Sequence, residues 1–187
     1  MQAQLRALKS LQEYIIPFTG LKEGKHQFNF DVDKRFFDEF EYSLVKNGNL
    51  QVDLELDKQE TMLILQFIIK GHIFLNCDVC LSDFPSMVDV KERQIVKFGE
   101  DDSVEDETEE IIVLSRNENE VDISTLIYEY INLAVPYFHR CEDPGKTEWC
   151  DKDMVEKLEK LSGNQEEEEQ NTDADPRWDA LKNIKNK

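Results

Sequence analysis

Alternating polar and apolar residues predict the strands of this chain. Residues 26 to 32 alternate with period two, so one face of this strand should be buried. Residues 50 to 57 alternate more regularly still, which predicts a strand with one buried and one hydrated face. A denser apolar run over residues 61 to 76 predicts a central strand, and residues 86 to 98 predict its neighbour. Consecutive strands of this kind indicate an antiparallel meander.

Apolar residues at helical spacing predict helices outside this meander. Asp33 is a typical N-cap for a short helix whose apolar face runs to Leu44. Asp122 stands before the strongest helical pattern of the chain, which ends at Pro136. Residues 154 to 161 predict a further short helix.

These elements predict an α+β fold. We expect an antiparallel sheet, open or barrel-like, covered by the helix that follows Asp122, and a mobile acidic C-terminal tail. A single α+β domain should span residues 1–162, with an acidic loop at 99–110. A disordered acidic linker should cover 163–174, and a short docking helix should cover 175–187.

The charge of the chain is strongly uneven. The net charge is −19, but residues 1 to 98 carry only −3. Residues 99 to 120 and residues 141 to 175 each carry −9. Generic attraction to phosphate needs clustered Lys and Arg, so RNA binding would have to use a local surface. The least acidic part of the chain contains the candidate RNA-binding residues Lys22, Lys25, Lys34 and Arg35.

The acidic segments have two interpretations. They can attract a basic partner, such as a ribosomal protein or a polybasic extension, and steer its association, or they can simply keep the protein soluble. No apolar stretch approaches the ~20 residues that span a bilayer, and the first twenty residues lack the pattern of a secretory signal. We therefore expect a cytoplasmic protein that does not bind a membrane.

The chain contains four cysteines, Cys77, Cys80, Cys141 and Cys150. Two pairs brought together would form a tetrathiolate zinc site, and Cys77-Asp78-Val79-Cys80 has the spacing of a zinc-binding turn. The second pair is more widely spaced, so His139 or His72 could replace one of its members. The alternative is that the cysteines are buried, reduced thiols. A redox role is disfavoured, because reactive CxxC pairs begin a helix and this one joins two strands.

Other motifs argue against an enzyme. The sequence shows no Ser/His/Asp order, glycine-rich phosphate loop or HExxH helix. We therefore predict a non-enzymatic protein with no small-molecule substrate and no cofactor other than zinc.

A terminal motif predicts a docking element. Pro176 can start a short helix capped by Asp175, with Arg177, Trp178 and Leu181 following. A helix of this length is marginal alone, so its tryptophan should pack on this domain or on a partner.

Several of these features together resemble the bacterial YceD family of large ribosomal RNA subunit accumulation proteins. The resemblance rests on Cys77 to Leu81, on the helix centre from Ile127 to Tyr130, on the later cysteine pair and on Asp175 to Trp178. It extends from about Tyr14 to Ile184. Other members often carry Arg where this chain has Val79, and a denser second cysteine cluster.

The resemblance implies a factor that supports accumulation of the large-subunit ribosomal RNA and assembly of the ribosome. Its partner would be large-subunit rRNA or a pre-ribosomal particle. The alternative function is an acidic, chaperone-like holder of a basic ribosomal protein.

Overall fold

The computed structural model describes residues 11–99, 111–141 and 147–162. A 3₁₀ turn at Gln12–Tyr14 leads into the first strand. The strands are β1 (Ile15–Pro17), β2 (Gly24–Val32), β3 (Gly48–Lys58), β4 (Met62–Asn76), β5 (Asp83–Gly99), β6 (Ile111–Ser115) and β7 (Glu120–Asp122). The helices are α1 (Lys34–Asp38), α2 (Ser124–Leu133) and α3 (Lys152–Leu161).

One five-stranded sheet dominates this fold. Its strand order is β2-β3-β4-β5-β6, and β1 and β7 form a separate two-stranded sheet. The α+β class and the meander are confirmed, but the barrel-like alternative is wrong for the described residues, where β2 and β6 remain unjoined edges. The sheet is also not wholly antiparallel, since β6 pairs with β5 in parallel.

The sheet has two chemically different faces. One face carries Leu50, Val52, Leu54 and Leu56 of β3, which are all buried, and we call it the core face. The opposite, outer face carries the polar residues that alternate with them, including Asp53. The alternation in residues 50 to 57 therefore predicted both faces correctly, because a residue's side in a strand is fixed by period two.

Helix α2 covers the core face. Its Leu126, Ile127 and Ile131 are buried, as the apolar stripe predicts. The helix begins at Ser124, whose N–H is accepted by the Asp122 carboxylate at 2.8 Å. It ends at Leu133, one turn earlier than the sequence pattern suggests.

Aromatic contacts hold α2 against its neighbours. Tyr128 stacks on Phe40 with ring centroids 4.0 Å apart, and Tyr130 meets Phe67 of β4 edge-on at 5.3 Å. The Tyr130 hydroxyl donates to Gln94 of β5 at 3.2 Å. Burial, together with nearby carboxylates, raises the pKa of Tyr130 to about 12, so this hydroxyl stays a donor at neutral pH.

Helix α1 is shorter than its apolar spacing predicts. Asp33 caps it as expected, accepting the Arg35 N–H at 2.8 Å, and Phe36 and Phe37 are buried. The helix ends at Asp38, and Leu44 is 73% exposed. Phe36 and Phe37 already form the buried face of this helix, so nothing requires it to continue to Leu44.

The acidic loop from 100 to 110, the linker at 163–174 and the docking helix at 175–187 lie outside the described residues. The predictions for these segments stay predictions. None of the helices that the structure describes has the length and apolar character needed to cross a membrane.

Gly71 allows β3 and β4 to approach closely. Its φ is +148°, and a Cβ at this position would lie 2.2 Å from the carbonyl oxygen of Asn49 and 2.7 Å from Cα of Leu50. Both neighbours are backbone, so they cannot move aside as a side chain would. Only glycine fits at this register.

We expect Gly71→Ala to destabilise the fold by about 2 kcal/mol or more, since it combines backbone overlap with a strained φ. Chemical denaturation measures this change. Gly20→Ala is the matched control, because nothing lies within 4 Å of its Cβ position. Equal stability of the two variants would show that β3 and β4 do not approach as described.

Candidate metal centre

The turn between β4 and β5 buries the first cysteine pair. Cys77 donates its N–H to the Ser82 carbonyl at 2.9 Å, and Leu81 donates its N–H to the Cys77 carbonyl at 2.9 Å. Leu81 adopts φ +62°, which closes the turn tightly. Both Cys77 and Cys80 are buried as a result.

The chain returns to this turn after α2. Asp78 donates its N–H to the His139 carbonyl at 2.6 Å. Its carboxylate accepts the His139 N–H at 2.7 Å. This two-bond clamp places Cys141, two residues later, beside the first pair. A pairing of residues more than sixty positions apart could not be deduced from cysteine spacing.

Three sulfur atoms form a compact triangle at this point. The Sγ atoms of Cys77, Cys80 and Cys141 all lie within 4.8 Å of one another. Cys141 Sγ is 3.7 Å from Cys77 Sγ and 3.8 Å from Cys80 Sγ. Four thiolates bound tetrahedrally at ~2.3 Å from zinc have sulfur atoms about 3.8 Å apart. The spacing of this triangle therefore fits a tetrahedral metal.

Cys150 lies against the triangle. It is buried, and its thiol hydrogen-bonds with that of Cys141. It falls outside the set of three sulfurs that are all within 4.8 Å of one another. Its side chain would have to move closer to the other three sulfurs to complete a fourfold site. None of the four cysteines is disulfide-bonded.

Backbone N–H groups point at these sulfurs. The N–H groups of Val79 and Cys141 both donate to Cys77 Sγ at 3.5 Å. Those of Ser82 and Asp151 donate to Cys80. Such donors stabilise a thiolate more than a thiol.

The thiol pKa values differ within the cluster. Burial acts to raise the pKa of Cys80, but the N–H groups of Ser82 and Asp151 outweigh it and lower the pKa to about 6. Burial, and hydrogen bonds with the other three cysteines, raise the pKa of Cys141 to about 12. Several thiolates this close repel one another, so a cation is what would allow all of them to ionise together.

The two histidines considered as replacements do not join the cluster. Neither His139 nor His72 belongs to the group of potential ligands among the described residues. His139 contributes its backbone to the clamp instead. His72 lies on β4, where its ring meets that of Phe74 at 5.4 Å.

The four candidate RNA-binding residues do not form one patch. Lys22 and Lys25 lie at the start of β2, and Lys34 and Arg35 follow its end, roughly 27 Å away for nine residues of strand. Lys25 pairs with Glu55 at 2.7 Å, and Arg35 pairs with Asp33 at 3.1 Å. Their role in RNA binding stays a prediction.

The candidate partner-binding residues Asp175, Pro176, Arg177, Trp178 and Leu181 lie outside the described residues. Asp78, in contrast, is a residue whose role the sequence analysis missed. The sequence shows Asp78 between Cys77 and Cys80, but it does not show that Asp78 contacts His139.

The family model for the large ribosomal RNA subunit accumulation protein YceD matches residues 65–185. The chain belongs to the YceD family. The match includes all four cysteines and the terminal Asp175 to Trp178 motif, but begins inside β4, much later than the resemblance from Tyr14 suggests. No curated protein and no solved structure shows a significant match.

The Asp78 clamp predicts a local effect. Asp78→Ala removes the acceptor of the His139 N–H, so we expect faster amide hydrogen exchange at His139 and Cys141 and a loss of about 1–2 kcal/mol of stability. Asp89→Ala is the control, since Asp89 is exposed on β5. Unchanged exchange at both amides would contradict the clamp.

Proposed function

We propose that this protein supports accumulation of large-subunit ribosomal RNA by binding that RNA or an assembly intermediate. Membership of the YceD family carries the proposal, because the family is named for this role. The protein acts by binding rather than catalysis, and it works in the cytoplasm with the assembling ribosome.

The four cysteines hold one zinc ion in this proposal. The sulfur spacing of the Cys77, Cys80 and Cys141 triangle supports tetrahedral coordination, and the buried Cys150 supplies the fourth ligand. Soft thiolates favour zinc over magnesium or calcium. The N–H donors around Cys77 and Cys80 act as the second shell that orients the ligands.

The zinc site is structural rather than catalytic. Four protein thiolates leave no open position for water or substrate, as closed structural sites do. The site joins the β4–β5 turn to the chain that follows α2. It therefore stabilises the end of the sheet that lies next to Trp149 and the start of α3.

The alternative of an acidic holder for a basic ribosomal protein depends on residues 100 to 110, which lie outside the described residues. No described contact favours it. The terminal Trp178 motif remains a candidate anchor, either on this domain or on the pre-ribosomal particle.

Zinc content tests the metal proposal. Protein purified without chelator should contain about one zinc per chain, and removing the metal should cost several kcal/mol of stability, because binding is coupled to folding of this end of the domain. Elemental analysis and thermal unfolding measure the two effects. Cys141→Ser should lose the metal, since Cys141 lies at the centre of the cluster.

His139→Ala provides the matched control for this prediction. It changes a potential ligand two residues from Cys141 but leaves the backbone clamp intact, so zinc content should be unchanged. If the purified protein contains no zinc, and neither added zinc nor chelator changes its stability, the cysteines are ordinary buried thiols and the metal proposal is wrong.

Ribosome profiles test the functional proposal. We expect the tagged protein to co-sediment with large-subunit precursors on a sucrose gradient, and its deletion to lower the ratio of large-subunit to small-subunit rRNA. A protein that stays at the top of the gradient, with an unchanged rRNA ratio on deletion, would contradict the assembly role.

A further inference from the structure

The outer face of the sheet carries basic and aromatic side chains that neither the core nor the metal centre uses. Three lie on β4 at alternating positions, two lie on β5, and one belongs to the segment that the cysteines hold. We call them the β4–β5 stripe: Lys70, His72, Phe74, Lys91, Arg93 and Trp149.

Strand register places the basic members together. Lys91 of β5 pairs with Ile68 of β4, and Arg93 pairs with Gln66, so both lie on the same face as Lys70. All three cations are exposed. Among the described residues, the ion pairs within 4.0 Å involve other side chains. A trough of about 750 Å³ crosses this face from β5 to β2, with Lys91 and Arg93 at its β5 end and the acidic Asp53 and Glu55 of β3 farther along it.

The aromatic members continue the stripe toward the metal centre. The ring of His72 meets that of Phe74 at 5.4 Å, and Phe74 meets Trp149 at 6.5 Å. Trp149 is 45% exposed. A second groove, of about 460 Å³, is lined by Phe74 and Trp149 and also by Lys46. The rings of Phe74 and Trp149 therefore border open space that a flat base can enter, and Asp78 and Asp83 lie on the same groove.

We propose that the β4–β5 stripe binds single-stranded RNA, with its cations on phosphates and its aromatic rings stacked on bases. Positively charged grooves with aromatic platforms are the way in which proteins bind unpaired strands. A duplex would hide the bases that the rings need. The inference rests on the proposed RNA-binding function and assigns it to one surface.

Charge on the neighbouring strand limits where the RNA can run. On the outer face β3 presents Asp53, Glu55 and Asp57, which repel phosphate. Only Asp89, paired in register with Lys70, brings an acidic residue between the cations of the stripe. In this proposal the RNA therefore follows β4 and β5 and does not cross β3 toward β2.

The metal centre positions one end of this surface. Trp149 immediately precedes Cys150, and Asp151 donates its N–H to Cys80. Phe74 is three residues before Cys77 in the same strand region. The cysteine cluster thus fixes the distance between two of the three aromatic rings.

Salt dependence tests the basic part of the stripe. The probe is a fluorescein-labelled single-stranded RNA of about 12 nucleotides, and the protein is the full chain with its native metal content. Each phosphate contact adds about 0.7 to the slope of log affinity against log salt for single strands, so replacing Lys70, Lys91 and Arg93 by Gln should reduce the slope by about 2. Affinity at low salt should fall at least tenfold.

The matched control makes the same change of charge elsewhere. Lys152, Lys157 and Lys160 are exposed on α3, and their triple Gln variant should keep the wild-type slope. If both variants lost the same affinity and the same salt dependence, the effect would come from net charge alone, and the stripe would not be the RNA-binding surface. If the stripe variant bound RNA as tightly as the wild type, the stripe would also be wrong, although the protein would still be an RNA-binding protein.

Stacking tests the aromatic part. In a Trp178→Phe background, Trp149 is the only tryptophan, and its fluorescence should be quenched by the RNA but not by the matching duplex. Trp149→Ala should weaken binding about tenfold, and Trp149→Phe should restore most of it. Unchanged fluorescence at saturating RNA would overturn the stacking role.

The wild-type protein separates the inference from the function on which it rests. If it binds neither RNA probe but captures a lysine-rich ribosomal peptide, both the RNA mechanism and the stripe are wrong. If it binds RNA and co-sediments with precursors while the stripe variants behave as wild type, only the stripe is wrong.

Discussion

The contact between the β4–β5 turn and residues 137–141, which follow α2, fixes the position of the cysteine cluster at this end of the sheet. Without it, residues 137–141 would have little to hold them, since the large side chains of Tyr137 and Phe138 are exposed. The two hydrogen bonds of Asp78 and the packing of Cys141 on Cys77 make that contact. A metal would reinforce it, because tetrahedral thiolate coordination fixes positions that hydrogen bonds alone leave mobile.

The two faces of the sheet differ in what covers them. The core face carries buried apolar residues such as Leu54 and Phe67, and α2 packs against it. The outer face mixes charged and apolar side chains. Acidic residues predominate on β3, whereas β4 and β5 carry Lys70, Lys91 and Arg93 with Asp89 among them. The proposed stripe depends on this local arrangement, since phosphate responds to charge within about a Debye length rather than to the net charge of the protein.

Strand and helix patterns were predictable where a single face is buried. The alternation in residues 50 to 57 gave the faces of β3, and the apolar stripe gave α2, because both depend on local period. The parallel pairing of β6 with β5 was not predictable, since residues 100 to 110 intervene and their composition says nothing about strand direction. The end of α1 was missed because Leu44 matched the helical spacing but had no core left to cover.

The candidate site was only partly visible in the sequence. Cysteine identity and the CxxC spacing indicated a metal, but the meeting of Cys141 with Cys77 depends on the path of the chain around α2. RNA binding by Lys22, Lys25, Lys34 and Arg35 was predicted because they share the least acidic part of the sequence, and it stays a prediction. Strand pairing brings Lys70, Lys91 and Arg93 together, although they are up to 23 positions apart, and this grouping was not visible in the sequence.

Ultraviolet crosslinking in cells tests the central claim most directly, namely that this protein meets large-subunit RNA through the outer face of β4 and β5. The protein is purified after irradiation, and peptides that carry nucleotide adducts are identified by mass spectrometry. We expect adducts at His72, Phe74 or Trp149, with large-subunit rRNA as the crosslinked RNA. Adducts confined to α1, or an absence of adducts on β4 in protein that co-sediments with the precursors, would contradict it.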